Sequence, residues 1–437
     1  MRPPVSSALL ILSTFSSLAE SDKLSFNADV QPILSEYCYH CHGPDANTRA
    51  PKSAPLRLDR EEFAFEVREA TGKPVIIKGD PAASELVRRM KTTDADELMP
   101  PAKSHKVMKA EEIAILEQWI AQGAEYEEHW SFIPPQQAAP PTLSGELQAW
   151  VKNPIDGFVA ARLAENGMKP NPVEDARRFL RRLTFDLTGL PPTRQELDAF
   201  ETAWNADPDA AVNTAINRLF AGDAYAEHFA RHWLDAARYS DTHGIHNDNY
   251  RSIWPYRDWV INAFRQNMPF DQFTVEQIGG DLLPDPTLDQ IVATGFNRCL
   301  PTTGEGGAIA EEYEAIYAQD RTDTTTAVWL GLTAGCASCH DHKFDPISMK
   351  DTYSFNAFFR NSTMQAMDRN KQDHPPSLFV PGEGDRKRFT EIDAQLAALE
   401  HRVKDRSTTA EGDFQAWLAK LDPAEFQLSG PAPEIQL

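Results

Sequence analysis

Cysteine is scarce in this chain, with five among 437 residues. That excludes a disulfide-stapled scaffold, which is short and cysteine-dense. Positive charge is also short: 43 Lys+Arg stand against 65 Asp+Glu, a net charge of −22. So acidic a chain lacks the basic face that a nucleic acid or an anionic membrane needs. A basic redox partner remains compatible with it, although acidic solubility is the simpler explanation. Long apolar runs are missing too. The one near the start, Ala8 to Phe15, is diluted by Ser13 and Thr14 and is too short to span a bilayer. What the chain does have is the make-up of a folded protein, 41% apolar and 25% charged. Its length suggests two or three domains.

The start reads as a signal peptide over residues 1–19. Arg2 gives the positive end, Ala8 to Phe15 the apolar region, and Ser17-Leu18-Ala19 a small-x-small cleavage site. The mature chain is therefore expected in a periplasm or similar exported space, with no membrane span. In that context the few cysteines are informative, because four of the five fall in two C-x-x-C-H runs. These are Cys38-Tyr39-His40-Cys41-His42 and Cys336-Ala337-Ser338-Cys339-His340. Thiols at this spacing can add to the two vinyl groups of one haem, and the adjacent imidazole falls on the iron. Cys38, Cys41, Cys336 and Cys339 are thus expected to hold haem c, with His42 and His340 as iron ligands. One haem is read from the first motif, and a second from its repeat.

The first motif sits in a unit spanning 24–133. Asn27 or Asp29 can cap a short helix through Val30, Ile33 and Leu34 that leads into Cys38. A Pro-containing loop follows, then a short helix at Ser84–Met90, and Met99-Pro100-Pro101 after an acidic loop. Glu111 and Glu112 open a last helix, Ile113, Leu116, Trp119 and Ile120 make its apolar stripe, and Gly123 ends it. This order resembles a class I cytochrome c. By that resemblance His42 is the fifth and Met99 the sixth iron ligand, a pairing that raises the potential and suits electron transfer. Met90 and Met108 are rival thioethers, and His105 would give bis-histidine ligation. Zinc or a disulfide at Cys38 and Cys41 is disfavoured: no second cysteine pair lies nearby, and a disulfide needs no adjacent histidine.

A Pro-rich bridge over 134–148 reads as a stiff linker. The next region, 149–370, reads as mostly helical and aromatic-rich. Aromatic residues from Phe229 to Phe273 are interleaved with His228, His232, His243, His246 and several Asp and Arg, which suggests a polar network in a core or a lined cavity. His228 and His232, four residues apart, could share a metal; a structural pair is the simpler reading. Arg177, Arg178, Arg181 and Arg182 read as a solvated or ion-paired face, with haem propionates the sharper alternative.

Several stretches taken in order carry a family resemblance. They include Asn27 to Leu34, Leu183-Thr184-Phe185-Asp186-Leu187-Thr188-Gly189-Leu190-Pro191-Pro192-Thr193 and Trp233-Leu234-Asp235-Ala236-Ala237-Arg238-Tyr239. Trp254 to Val260, Asn267 to Asp271 and Cys336 to Ile347 continue the series. The chain resembles the planctomycete-type cytochrome c proteins, in which a cytochrome c domain precedes a second domain of unassigned function and usually a third. The resemblance covers roughly Leu24 to Arg360 and implies a redox protein partner or a further C-terminal domain. The sixth ligand of the second haem is not legible from spacing. His342 lies too close to His340 to reach the opposite face; His243, His246, Met349 and Met364 are candidates, with His243 or His246 preferred. A vacant sixth position would suit peroxide or substrate chemistry instead. Zinc held by Cys336, Cys339, His340 and His342 is the alternative to a second haem.

The stretch 371–437 reads as a linker and a helical hairpin, pairing the seam Phe389, Ile392, Leu396, Leu399 and Val403 with a helix around Phe414, Trp417 and Leu421. It suggests a chain cut short before a further domain. The expected fold is mainly α: an N-terminal cytochrome c-like helical domain, a larger mostly helical domain, and a C-terminal helical hairpin. The expected function is that of an exported dihaem c-type cytochrome passing electrons to or from a partner or appended oxidoreductase domain. Two other classes compete with it. One is a dihaem peroxidase-like or substrate-oxidising enzyme with its pocket in the second domain; the other is a polysaccharide-binding scaffold with a redox domain.

Overall fold

The structure is a computed structural model that describes residues 23–422, apart from Ala54 and Ala70. The signal-peptide stretch and the residues after 422 lie outside the described residues. The protein is mainly α, and among the described residues strand pairing is limited to isolated bridges such as Gly244 with Thr302. Through Pro375 the chain forms one compact unit, and from Pro376 onward a second.

The first unit begins with a π-helical turn, Phe26–Val30, that runs into the helix Gln31–Tyr37. Ser25 and Asp29 cap each other's backbone: the Ser25 hydroxyl takes the Ala28 N–H, and the Asp29 carboxylate takes the Ser25 N–H at 2.8 Å. Val30 and Leu34 are wholly buried against Leu116 and Ile120 of the helix Ala110–Ala121. Three rings close this core, with Phe26 centred 5.8 Å from Trp119 and 4.4 Å from Tyr126. The helix Ala110–Ala121 starts where expected because the Glu112 carboxylate takes the Lys109 N–H at 2.7 Å. It stops at Gly123, whose φ of +108° is open to glycine.

Beyond the Pro-rich bridge come the helices Ala176–Thr188, Arg194–Ala206, Pro208–Phe220 and Asp223–Ala236. Leu180 and Phe200 are buried between the first two, with Phe179 and Trp204 packed against them. Gly189 is required twice over. Its φ is +68°, and a Cβ there would come within 2.6 Å of His228 Nδ1.

The aromatic-rich stretch is a core with a polar network inside it. The rings of Trp233, Trp259, Phe273, Phe296 and Trp329 pack at centroid distances from 4.7 to 5.4 Å. Gln277, fully buried, accepts from Trp233 Nε1 and from the Tyr256 hydroxyl, each at 2.7 Å. Arg251 is buried as well and gives its N–H groups to the carbonyls of Ser240, Arg298, Cys299 and Leu300. Such a network is tolerated in a core because its members are bonded to one another or to backbone.

The second unit differs from the expected hairpin. A single helix, Arg386–Leu418, runs through 33 residues without a turn. The reason is local: no proline interrupts the stretch, and the polar run Ser407-Thr408-Thr409 does not divert the backbone. Those hydroxyls donate back to carbonyls three or four residues earlier, including Val403 and Asp405, within the helix itself.

Candidate haem-binding sites

The first C-x-x-C-H is a single helical turn, with the Cys41 and His42 N–H groups donating to the Cys38 carbonyl at 3.1 and 2.8 Å. Helical spacing puts Cys38, Cys41 and His42 on one face. The Cys38 thiol packs against the core of the first unit, where burial pushes its pKa up to about 12. Such a sulfur is poorly suited to be a free thiolate and well suited to be an apolar thioether. Burial also pulls His42 below the usual imidazole range, which keeps the ring neutral, the form that binds a metal. Its Nδ1 is buried with no hydrogen-bond partner. These features fit a haem bound here.

The loop after the motif is fixed tightly. Leu58 N–H donates to the His42 carbonyl at 2.8 Å and Ala50 N–H to the Cys41 carbonyl at 2.9 Å. Gly43 cannot be replaced without collision, since a Cβ would lie 2.3 Å from the Tyr39 carbonyl oxygen. Met99 is half-buried and its N–H donates to the Arg89 carbonyl at 2.9 Å. Arg89 also bears electrostatically on His42, so one helix, Glu85–Lys91, links the two expected ligands. Of the rivals, Met90 is locked in the core and His105 is exposed, while Met108 is partly buried against that core.

The second motif is arranged differently. Cys336 and Cys339 are both exposed, on and just after a 3-10 turn, Ala334–Ser338. Ser338 closes the turn by donating to the Gly335 carbonyl at 2.7 Å, and the Tyr353 hydroxyl donates to the Ser338 carbonyl at 3.0 Å. His340 Nδ1 lies 2.8 Å from the Asp341 carbonyl. A carbonyl only accepts, so Nδ1 carries the proton and the Nε2 lone pair is left available to a metal. His342 is the opposite case. Its Nδ1 accepts the N–H of Asp345 at 2.8 Å, and its Nε2 faces the Thr333 hydroxyl at 3.2 Å. With both nitrogens engaged and the ring buried, His342 braces the loop. Among the described residues no three His, Cys, Asp or Glu side chains are gathered closely enough to hold a metal ion. The zinc set is thus not assembled in this structure.

Other expected candidates also find structural partners. Both nitrogens of His243 are taken, by the Thr302 hydroxyl at 2.6 Å and the Lys371 carbonyl at 3.0 Å. Of the two preferred candidates for the sixth ligand of the second haem, His246 is the one with its ring left exposed. His246 and Met349 are exposed, and the Met364 sulfur lies 3.5 Å from Arg321 Nη2. His228 and His232 pack edge to face at 5.6 Å, with Gly189 against His228. Arg177 pairs with Asp198 and Glu201, Arg178 lies near Glu174 and Asp175, and Arg181 lies over the Phe185 ring. Cys299 is buried, its thiol pushed up to about 12 by burial.

Spacing alone did not reveal that the loops after the two motifs line one cleft. Asp45, three residues after His42, is held below the usual carboxylate range mainly by the Asn47 N–H. Arg57 is raised mainly by its bond to Asp59, and the Asp341 charge contributes. His129 Nε2 lies 3.4 Å from Asp345 Oδ1 and joins the end of the first region to the loop after the second motif. A cleft of about 370 Å³ opens along this seam, lined among others by Tyr39, Arg57, Asp59, His129, His342 and Asp345. Arg57, Asp59 and His129 carry no motif that could have singled them out.

A helical unit with a half-buried C-x-x-C-H turn, whose His42 Nδ1 has no hydrogen-bond partner, fits a c-type haem protein. Residues 38–103 match the family described as Planctomycete cytochrome C, and residues 154–364 match PSCyt2, a protein family of unknown function (DUF1549). The chain belongs to the planctomycete-type cytochrome c proteins that carry this second domain. No curated protein and no solved structure matches it. No helix among the described residues is long and apolar enough to cross a membrane.

Proposed function

We propose that the protein is an exported dihaem c-type cytochrome that relays electrons between its two C-x-x-C-H centres and a redox partner or appended oxidoreductase domain. The observation that carries this reading is that the loops after the two motifs line one cleft, where Asp345 lies 3.4 Å from His129. Two centres on adjoining loops of one compact unit suit transfer from one to the other. When bound, haem supplies a one-electron couple whose potential is set by its axial ligands and burial. Around it, His42 and Met99 are the ligands proposed for the first site, and Cys38 and Cys41 its anchors. Cys336, Cys339 and His340 hold the second, with the Asp341 carbonyl fixing the tautomer of His340.

A pyridine haemochrome assay on the full chain should return two haems c, and Cys336→Ser should retain one. One haem in the parent protein would remove the relay. The enzyme reading gains something from the cleft, which lies beside the second motif and not among Trp233 to Trp259. High-spin ferric iron that reacts with peroxide or cyanide would favour it, whereas two low-spin six-coordinate haems would favour transfer alone.

A further inference from the structure

The helix Arg386–Leu418 leaves its apolar seam in the open. Leu396 is 52% exposed, Leu399 49%, Val403 66% and Trp417 51%. No residue of the helix is buried. A helix of 33 residues is about 50 Å long, and one without a packed face is marginal in water, because helix stability in proteins comes mostly from burying the apolar stripe. This helix therefore needs a partner.

Its sequence specifies which kind. Phe389, Ile392, Leu396, Leu399 and Val403 occupy alternate a and d positions of a heptad. After one step of four to Ser407, the spacing resumes through Ala410, Phe414 and Trp417. A single inserted step of four is a stutter, which unwinds the supercoil locally and keeps the seam facing its partner. The flanks are sorted by charge. The e positions hold Asp393, Glu400 and Glu411, while the g positions hold Arg388, Arg402 and Arg406 beside Gln395 and Asp413. In a parallel pair each g residue faces the e residue of the next heptad on the other helix. Arg388 then meets Asp393 of the second copy, and Arg406 meets its Glu411. In an antiparallel pair e faces e, so Asp393 would meet Glu411 of the second copy and repel it. In the single helix Arg388 can only lean on Glu391 and Arg406 on Asp413, within its own chain.

We propose that Arg386–Leu418 pairs with the same helix of a second copy as a parallel, in-register two-stranded coiled coil, so that the protein dimerises through its second unit. Light scattering on the full chain should give the mass of a dimer. Leu396→Glu with Leu399→Glu should give a monomer whose visible spectrum is unchanged, since the haem centres lie outside this helix. Arg388→Glu alone and Asp393→Arg alone should each weaken the dimer on the order of tenfold, and the two together should restore it. Three results would overturn the proposal: a parent protein that is monomeric at every concentration, a dimer that survives the double Glu variant, or tighter association on Asp393→Arg alone. The last is the signature of an antiparallel pair.

Discussion

Single residues decide most of the chemistry at the first haem site. Met99 is the proposed sixth ligand because it is half-buried on a loop tied to Arg89, whereas Met90 is consumed by packing. Met99→Leu should abolish the low-spin six-coordinate spectrum of the first haem and lower its reduction potential, and Met108→Leu should leave both in place. Spectroelectrochemistry distinguishes these outcomes. His374 gives a second test. It is buried, and burial followed by the nearby Arg298 charge lowers its pKa to about 4. The folded ring therefore stays neutral where an unfolded histidine, near 6.5, would take up a proton. Its contribution to stability is full above that value and falls as pH drops toward 4, by up to about 1.4 kcal/mol per pH unit. Subtracting the unfolding free energies of His374→Gln from those of the parent between pH 7 and 4 should recover this slope. A flat difference would mean that the ring is hydrated in the fold.

At the scale of elements, legibility followed how local the cause was. The helix Ala110–Ala121 was readable because its cap, stripe and stop all lie within a few residues of one another. Glu112→Ala should cost about 1 kcal/mol, since it removes the acceptor of the Lys109 N–H and of the Tyr37 hydroxyl at 3.2 Å. Thermal unfolding of the variant checks this, and a loss under a few tenths of that would show that the cap is replaced by water. The C-terminal helix was misread for the converse reason. Between the two expected helices, the hydroxyls of Ser407-Thr408-Thr409 bond back into the helix and continue it. Of the sites, the two C-x-x-C-H runs were legible because their ligands are adjacent in the chain. The tautomers of His340 and His342 were not, because they depend on which carbonyl, N–H or hydroxyl the fold brings to each ring nitrogen. His243 sits among many polar residues in sequence, and only the fold shows that both its nitrogens are spent.

The whole molecule carries a charge of −22, and the loops after its two motifs line one cleft. A field of that sign should repel an anionic oxidant such as ferricyanide and attract a cationic complex such as hexaammineruthenium. Raising ionic strength should speed reaction with the first and slow reaction with the second, as stopped-flow traces would show. Equal salt responses would mean that neither haem edge faces the acidic surface.

The unequal burial of the cysteines has a bearing on how the protein is made. Cys38 is half-buried against the core that its own helix helps complete, while Cys336 and Cys339 stay at the surface. A ligation that must reach the Cys38 sulfur is favoured on the nascent or unfolded chain, before the core packs against it. The surface pair stays open to the same enzyme after folding. Biogenesis would therefore run in one direction, with the first centre closed early and the second filled at leisure. Chains recovered from haem-starved cells should accordingly carry the first group far more often than the second.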